Sequence, residues 1–324
     1  MKALILRYSS MGDIILATPV LDILRNKYLG IKIDWIVNEK FKEAIERNPK
    51  INRVLSFNNK KSLSDIRKKI SNEDYDFVFD LHRNRKTRYI TKKFKNVFKY
   101  NKRVWERFAL VFFKKKYEKI IPIPHLYFQA LGKAGFNIPL TYKPSFYIDR
   151  DVEKGVLKRY RVLKDFIVVS PGASYFTKMW PKQYFKKVLD NLDYTVVILG
   201  HGEEESKISR FISQGNTKAY DLCNKLTLEE SAVFIKRAKV MLTNDSGLMH
   251  LAQCFKTPVV AIFGSTTEEF GFFPYATDHV IHEINNLKCR PCTHFGKKYC
   301  PQKHFKCMLD INPEDVYNSV VKYI

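Results

Sequence analysis

Short apolar runs, each followed by a stretch of helical periodicity, constrain this chain more than any other feature. In the first half they are ALILRYS (3–9), IKIDWIV (31–37), RVLSF (53–57) and FVFDL (77–81). In the second half they are FIVVS (166–170), TVVIL (195–199), VMLTN (240–244) and PVVAIFG (258–264). Runs this short and continuously apolar suit strands covered on both faces, as in parallel sheets. Helical patterns lie between them. One covers 14–28, with Ile14, Ile15, Leu16, Val20, Leu21, Ile23 and Leu24 as its apolar positions, and others cover 181–191, 203–213 and 227–238. Thr227 with Glu230 three residues on is a capping-box signature, and Asn312 before Pro313 opens a helix in the tail. Two such arrays, separated near TYKPSFYIDRD (141–151), predict an α/β protein of two Rossmann-like domains whose parallel sheets face a central cleft. The expected boundaries are 1–150, 151–309 and a C-terminal helix over 310–324. Ligands of such sheets sit at the carboxyl ends of the strands, so the loops there carry the chemistry.

Composition narrows the class. With 45% hydrophobic and 14% aromatic residues among 324, the chain has ample material for packed cores. No apolar run approaches the roughly 18 residues of a membrane helix. The opening MKALILRYSS lacks the cleavage site of a signal peptide and reads as a first strand. The expectation is a cytoplasmic protein. The net charge of +24 is uneven: residues 1–150 carry +19 and the remainder +5. From Arg83 to Lys119 there are 15 basic residues and two acidic ones, Glu106 and Glu118. Such a face suits nucleic acid, an acidic membrane surface or an acidic substrate, or is simply a lysine-rich solvated surface. No basic-aromatic RNA motif, helix-turn-helix signature or zinc finger accompanies it, which argues against nucleic acid.

Three strand-end loops hold candidate residues. Asp245, Ser246 and Gly247 follow VMLTN and open a helix, with His250 on the same face. Amides at a helix start attract anions, a hydroxyl adds a donor, and glycine permits close approach; the alternative is a helix cap at Asp245 and a core histidine. PheGlySerThr at 263–266 repeats the small-polar pattern on the next strand. SPGASYFTKMWP (170–181) offers Gly172, Ser174, Thr177 and Lys178: a flexible turn, hydroxyls and one cation, the parts needed for a pyrophosphate, without the spacing of a P-loop. RYSSMGDIILATP (7–19) puts Asp13 in a first helical turn, where a carboxylate either complements the helix dipole or acts as a general base towards a hydroxyl. Cys289, Cys292, Cys300 and Cys307 crowd one stretch with His294 and His304, so a structural metal competes with reduced or disulfide-linked thiols. Cys223 and Cys254 read as ordinary buried thiols.

Together, SSMGDIILATP, PGASYFTKMWP and NDSGLMHLAQCFKTPVVAIFGST with FGFFPY resemble glycosyltransferase family 9, the lipopolysaccharide heptosyltransferases, over nearly the whole chain. The resemblance implies the GT-B architecture, with the acceptor held mainly by the first domain and the nucleotide-sugar mainly by the second. It implies inverting transfer of heptose from ADP-heptose to the Kdo or heptose of the inner core on lipid A, with no metal required for catalysis. By position, Asp13 would be the general base, Lys178 would offset charge on the departing ADP, and Ser174 would bind the diphosphate. Asp245, Ser246, Gly247 and His250 would line the donor site. Ser246 stands where many members have Thr, and Ala173 where some have a second hydroxyl. The cysteine-rich stretch is similar to one in members resembling heptosyltransferase II. An anionic, lipid-anchored acceptor would give the basic first half its purpose, with Arg83 and Arg85 as acceptor-binding candidates and peripheral contact with the inner face of the inner membrane. A relative using another nucleotide-sugar is the competing reading.

Overall fold

The computed structural model describes residues 1–161 and 164–324. The chain separates into two compact units, one of residues 1–103 and 122–147, the other of residues 104–121 and 148–324.

The first unit contains strands β1 (Lys2–Leu6), β2 (Lys32–Asn38), β3 (Arg53–Phe57), β4 (Phe77–Asp80) and β5 (Val97–Lys99). Its helices are α1 (Met11–Ala17), α2 (Pro19–Lys27), α3 (Lys60–Ile70), α4 (Arg85–Thr91) and, after a ten-residue α5 (Val104–Phe113) that groups with the second unit, α6 (Ile123–Lys133). The strands form one sheet in the order β3-β2-β1-β4-β5, and every pairing is parallel. Leu4, Leu6, Ile36 and Val78 of the strands pack with Leu63, Ile66 and Ile70 of α3. The periodicity over 14–28 belongs to two helices rather than one. Thr18 closes α1, its hydroxyl donating to the Ile15 carbonyl at 2.7 Å, and Pro19 begins α2 at the position a helix tolerates proline best.

The second unit contains α7 (Arg150–Arg159), β6 (Phe166–Ser170), α8 (Lys182–Asn191), β7 (Thr195–Ile198), α9 (Glu203–Ser213) and β8 (Ala219–Asp221). It continues with α10 (Leu228–Arg237), β9 (Met241–Asn244), α11 (Gly247–Phe255), β10 (Val259–Phe263), β11 (His279–Glu283), α12 (Lys306–Leu309) and α13 (Pro313–Val321). Its sheet runs β11-β10-β9-β6-β7-β8, again parallel throughout. Renumbered from β6, that is the doubly wound order 6-5-4-1-2-3. The first sheet has the same order without the sixth strand, so both units are Rossmann-like and the fold is GT-B. Thr227 and Asn312 cap α10 and α13 as their sequences predict. Val316 and Val320 of α13 join the core built around Trp180, Phe185, Val169 and Ile262, so the tail helix completes this unit. Each sheet reverses its winding at one point, between β1 and β4 in the first unit and between β6 and β9 in the second. The carboxyl ends at such a reversal diverge and leave a crevice for ligand.

Candidate functional site

At the reversal point of the first unit, the chain leaving β1 supplies Arg7, Ser10 and Asp13. Arg7 is 7% exposed, and its Nη2 lies 2.5 Å from Asp13 Oδ1. The Tyr127 hydroxyl of α6 donates to the same oxygen at 3.1 Å, and Ser10 Oγ donates to Oδ2 at 2.9 Å. Arg7 Nη1 donates to the Leu81 carbonyl at 2.9 Å, which ties the end of β1 to the end of β4. Burial would raise the Asp13 pKa, but the charge of Arg7 and the hydrogen bonds from Ser10, Arg7 and Tyr127 outweigh it and hold the carboxyl below its ordinary value. Asp13 is therefore a fixed, ionised carboxylate at a strand end. Beside it, His82 stacks on Tyr8 with ring centroids 3.7 Å apart. Burial and the charge of Arg7 push its pKa down to about 3, and its buried Nδ1 has no hydrogen-bond partner. The imidazole is neutral at physiological pH.

Arg83 and Arg85 also follow β4, and both are exposed. Arg83 adopts a positive φ of 52° while its amide donates to Asp80 Oδ1 at 2.6 Å, and its guanidinium reaches the Tyr100 carbonyl at 3.2 Å. Arg85 opens α4. Because β1 and β4 are adjacent parallel strands, both arginines leave the same edge of the sheet as Asp13.

At the reversal point of the second unit, Lys178 Nζ lies 2.7 Å from Asp245 Oδ2. That oxygen also accepts from the Thr266 hydroxyl at 2.7 Å, so the loops after β6, β9 and β10 meet at one carboxylate. Asp245 is 6% exposed and is not the helix cap: Ser246 takes that position, and Gly247 is the first residue of α11. Asp245 is instead free to hold Lys178 beside the helix start. Ser246 Oγ lies 3.2 Å from Thr243 Oγ1. His250 is 4% exposed, with Nδ1 3.0 Å from Gln253 Nε2. The Gln253 carbonyl oxygen accepts from the Ala276 amide at 3.2 Å, so its NH2 group faces the imidazole. His250 Nδ1 is then the acceptor and Nε2 carries the proton, a tautomer fixed by the network.

Ser174 is exposed in the loop after β6. Thr177 does not join it: the residue is 1% exposed, and its hydroxyl accepts from Ser265 Oγ at 3.0 Å and from the Lys297 amide at 2.7 Å. Thr177 and Ser265 brace the loop instead of facing a ligand. Arg290 is a second brace that sequence reasoning missed. Its guanidinium donates to the carbonyls of Gly264 and Thr266, each at 2.7 Å, and pairs with Glu283. Glu205 was missed as well. Its carboxyl packs where Cβ atoms on Gly172 and Gly200 would stand, accepts from the His201 amide at 2.9 Å, and has its pKa raised by burial. A carboxylate at the ends of β6 and β7 suits hydroxyl donors.

Cys289, Cys292, Cys300 and Cys307 line one small cavity with His304, and no disulfide joins them. Burial, reinforced by the neighbouring thiols, pushes Cys307 up to about 12 and raises Cys292. Cys289 Sγ lies 3.7 Å from His304 Nε2. Among the described residues no three His, Cys, Asp or Glu side chains are arranged to hold a metal, so the thiols converge without forming a ligand shell. Cys223 and Cys254 are buried thiols, as expected.

The model of glycosyltransferase family 9 (heptosyltransferase) matches residues 63–303. A lipooligosaccharide heptosyltransferase 2 of Campylobacter jejuni is 30% identical over 322 residues, covering 94% of this chain and 93% of the relative. Among solved structures, a glycosyltransferase of family 9 from Veillonella parvula superposes with a TM-score of 0.79 at 20% identity, covering 99% of this chain and 96% of the other. The E. coli ADP-heptose heptosyltransferase II gives 0.74 at 19% identity, covering 100% and 98%. Two Rossmann-like sheets with polar strand-end loops at both reversal points, and a family match over most of the chain, lead to one statement: this protein belongs to glycosyltransferase family 9, the heptosyltransferases.

Proposed function

We propose that the protein transfers L-glycero-D-manno-heptose from ADP-heptose, with inversion, to the Kdo–heptose inner core carried by lipid A. Residues 1–150 would bind the acceptor and residues 151–309 the nucleotide-sugar. The observation that carries the reading is the Lys178–Asp245 pair beside the first residues of α11. A cation and unsatisfied helix amides together suit a diphosphate, and they offset the charge that develops as ADP departs. Ser174, Ser246, Gly247 and His250 complete the donor side.

On the acceptor side, Asp13 takes the proton from the attacking hydroxyl as it closes on the anomeric carbon. The carboxylate is ionised at neutral pH and fixed by Arg7, Ser10 and Tyr127, so positioning compensates for its modest basicity. Inversion proceeds in one displacement and needs no covalent intermediate. Arg83 and Arg85 present guanidinium groups to the carboxylates and phosphates of the acceptor. The protein works at the inner face of the inner membrane, where its acceptor is anchored. The heptosyltransferase 2 name of the Campylobacter jejuni relative, and the cysteine-rich stretch, favour the second heptose as the one added.

The test is ADP release from ADP-heptose with purified protein, using Kdo2-lipid A and heptosyl-Kdo2-lipid A as alternative acceptors. Release that requires heptosyl-Kdo2-lipid A supports second-heptose transfer, and release with Kdo2-lipid A assigns the first. Silence with both, in folded protein, refutes the substrate assignment. In the Asp13→Ala variant, turnover should collapse while ADP still binds; near-normal turnover removes Asp13 from its role.

A further inference from the structure

Helix α5 carries an apolar stripe that the described residues of its own unit leave exposed. Trp105 is 80% exposed, Phe108 43%, Phe112 67%, Phe113 74% and Val104 60%, while Leu110 alone of the helix is buried. On a helical wheel Val104, Phe108, Phe112 and Trp105 fall within about 100° of one another, Leu110 lies opposite them, and Phe113 stands at the edge of the stripe. The rings touch in series: Phe108 lies 6.3 Å from Trp105, 4.4 Å from Phe112 and 5.9 Å from Phe113, centroid to centroid. Taking roughly 200 Å² per ring, the stripe exposes on the order of 500 Å², towards the top of the range found on monomeric proteins. It is held in place, because Lys114 Nζ at the helix end donates to the carbonyls of Val111 at 2.6 Å and Pro291 at 2.7 Å. Beyond it, Lys115, Lys116 and Lys119 are all exposed.

We infer that α5 docks the protein on an anionic lipid surface, with Trp105, Phe112 and Phe113 entering the headgroup–acyl boundary and the adjoining lysines engaging the headgroups. The chemistry selects this occupant. Ten residues make a helix about 15 Å long, half the hydrocarbon thickness, so α5 lies in the interface and does not span it. An apolar aromatic face bordered by lysines is the composition that anionic bilayers bind. A second copy of this chain is a poor partner, since each brings a net charge of +24 and the same lysines to the contact. The inference deepens the peripheral membrane contact proposed above by naming the surface, and it is testable on vesicles that contain no sugar acceptor, apart from sugar transfer.

The protein carries its own reporter. Of three tryptophans, Trp35 is 0% exposed and Trp180 2%, so Trp105 alone faces solvent. Full-length protein is titrated with phosphatidylcholine vesicles, and with vesicles in which roughly one-third of the lipid is phosphatidylglycerol. Tryptophan emission and vesicle co-sedimentation are read together. The expected result is a blue shift accompanying binding to the anionic vesicles, with much weaker binding to phosphatidylcholine alone. Phe112→Ser with Phe113→Ser should weaken binding at least about tenfold while far-UV circular dichroism is unchanged. Lys115→Ser with Lys116→Ser should weaken it roughly 20-fold at low salt, and less at high salt. Three results would overturn the inference: no binding to anionic vesicles; binding without a shift in emission, which would put another surface on the lipid; or a dimer in vesicle-free buffer whose formation shifts the emission.

Discussion

Replacing Arg7 by Met tests the electrostatic arrangement around Asp13 most directly. The substitution keeps most of the aliphatic volume and removes the charge 2.5 Å from Asp13 Oδ1. Breaking a buried ion pair by deleting one partner costs about 3–5 kcal/mol. Asp13 keeps its bonds from Ser10 and Tyr127, and its side chain is 16% exposed, so the lower part of that range, ~3 kcal/mol, is expected near neutral pH. The sign with pH follows from the lowered pKa of Asp13. A carboxyl depressed in the folded state stabilises the protein above its ordinary value of 3.8, and that contribution is lost as pH falls through the folded value. Without Arg7, burial dominates and the pKa moves up, so protonation relieves the variant as pH is lowered. The destabilisation should therefore shrink between neutral pH and pH 4. The assay is urea unfolding of the wild type, Arg7→Met, Asp13→Asn and the double variant at both pH values, followed through the transition of the first unit. A double variant more stable than Arg7→Met at neutral pH is expected. Equal costs for Arg7→Met and the double variant, or a cost independent of pH, would refute the argument. In the transferase assay, Arg7→Met should also move the acidic limb of the rate profile to higher pH.

Other expectations follow from single contacts. Lys178→Ala should weaken ADP binding about tenfold or more, measured by calorimetry, while Asp245→Asn weakens it less, because that lysine keeps its charge and loses only its anchor. Alanine at two glycines should give opposite signs in thermal unfolding. At Gly264 a Cβ would stand 2.9 Å from the Thr177 carbonyl and 2.4 Å from Met308 Cε, costing roughly 1–3 kcal/mol, whereas at exposed Gly155 inside α7 nothing lies within 4 Å and a gain of up to about 1 kcal/mol is expected. Thiol labelling of the native protein at pH 8 should be fast at the partly exposed Cys289 and Cys300, slower at Cys292, whose pKa burial raises, and slowest at Cys223, Cys254 and Cys307, with burial holding Cys223 near 11 and Cys307 near 12. Equally rapid labelling of all six would contradict the packing of these residues.

The sequence alone determined the two central sheets. Strands buried on both faces are apolar nearly throughout, so FIVVS matches β6 residue for residue, and RVLSF matches β3 although that strand is a half-buried edge of its sheet. The other edges, β5, β8 and β11, escaped this reading because VFK and AYD are only three residues long and HVIHE mixes polar with apolar residues at half-exposed positions. Local rules also announced the caps at Thr227 and Asn312, whose partners lie within three residues. Only the tertiary structure decided what Asp13, Asp245 and Thr177 do, since each is set by a partner far along the chain. Tyr127 lies 114 residues from Asp13, Thr266 lies 21 from Asp245, and Ser265 lies 88 from Thr177. The aromatic run of α5 is the clearest division between the two. The sequence showed this region only as a basic stretch; which side of WERFALVFF meets protein depends on what packs against it, and in this fold only Leu110 of the helix is buried.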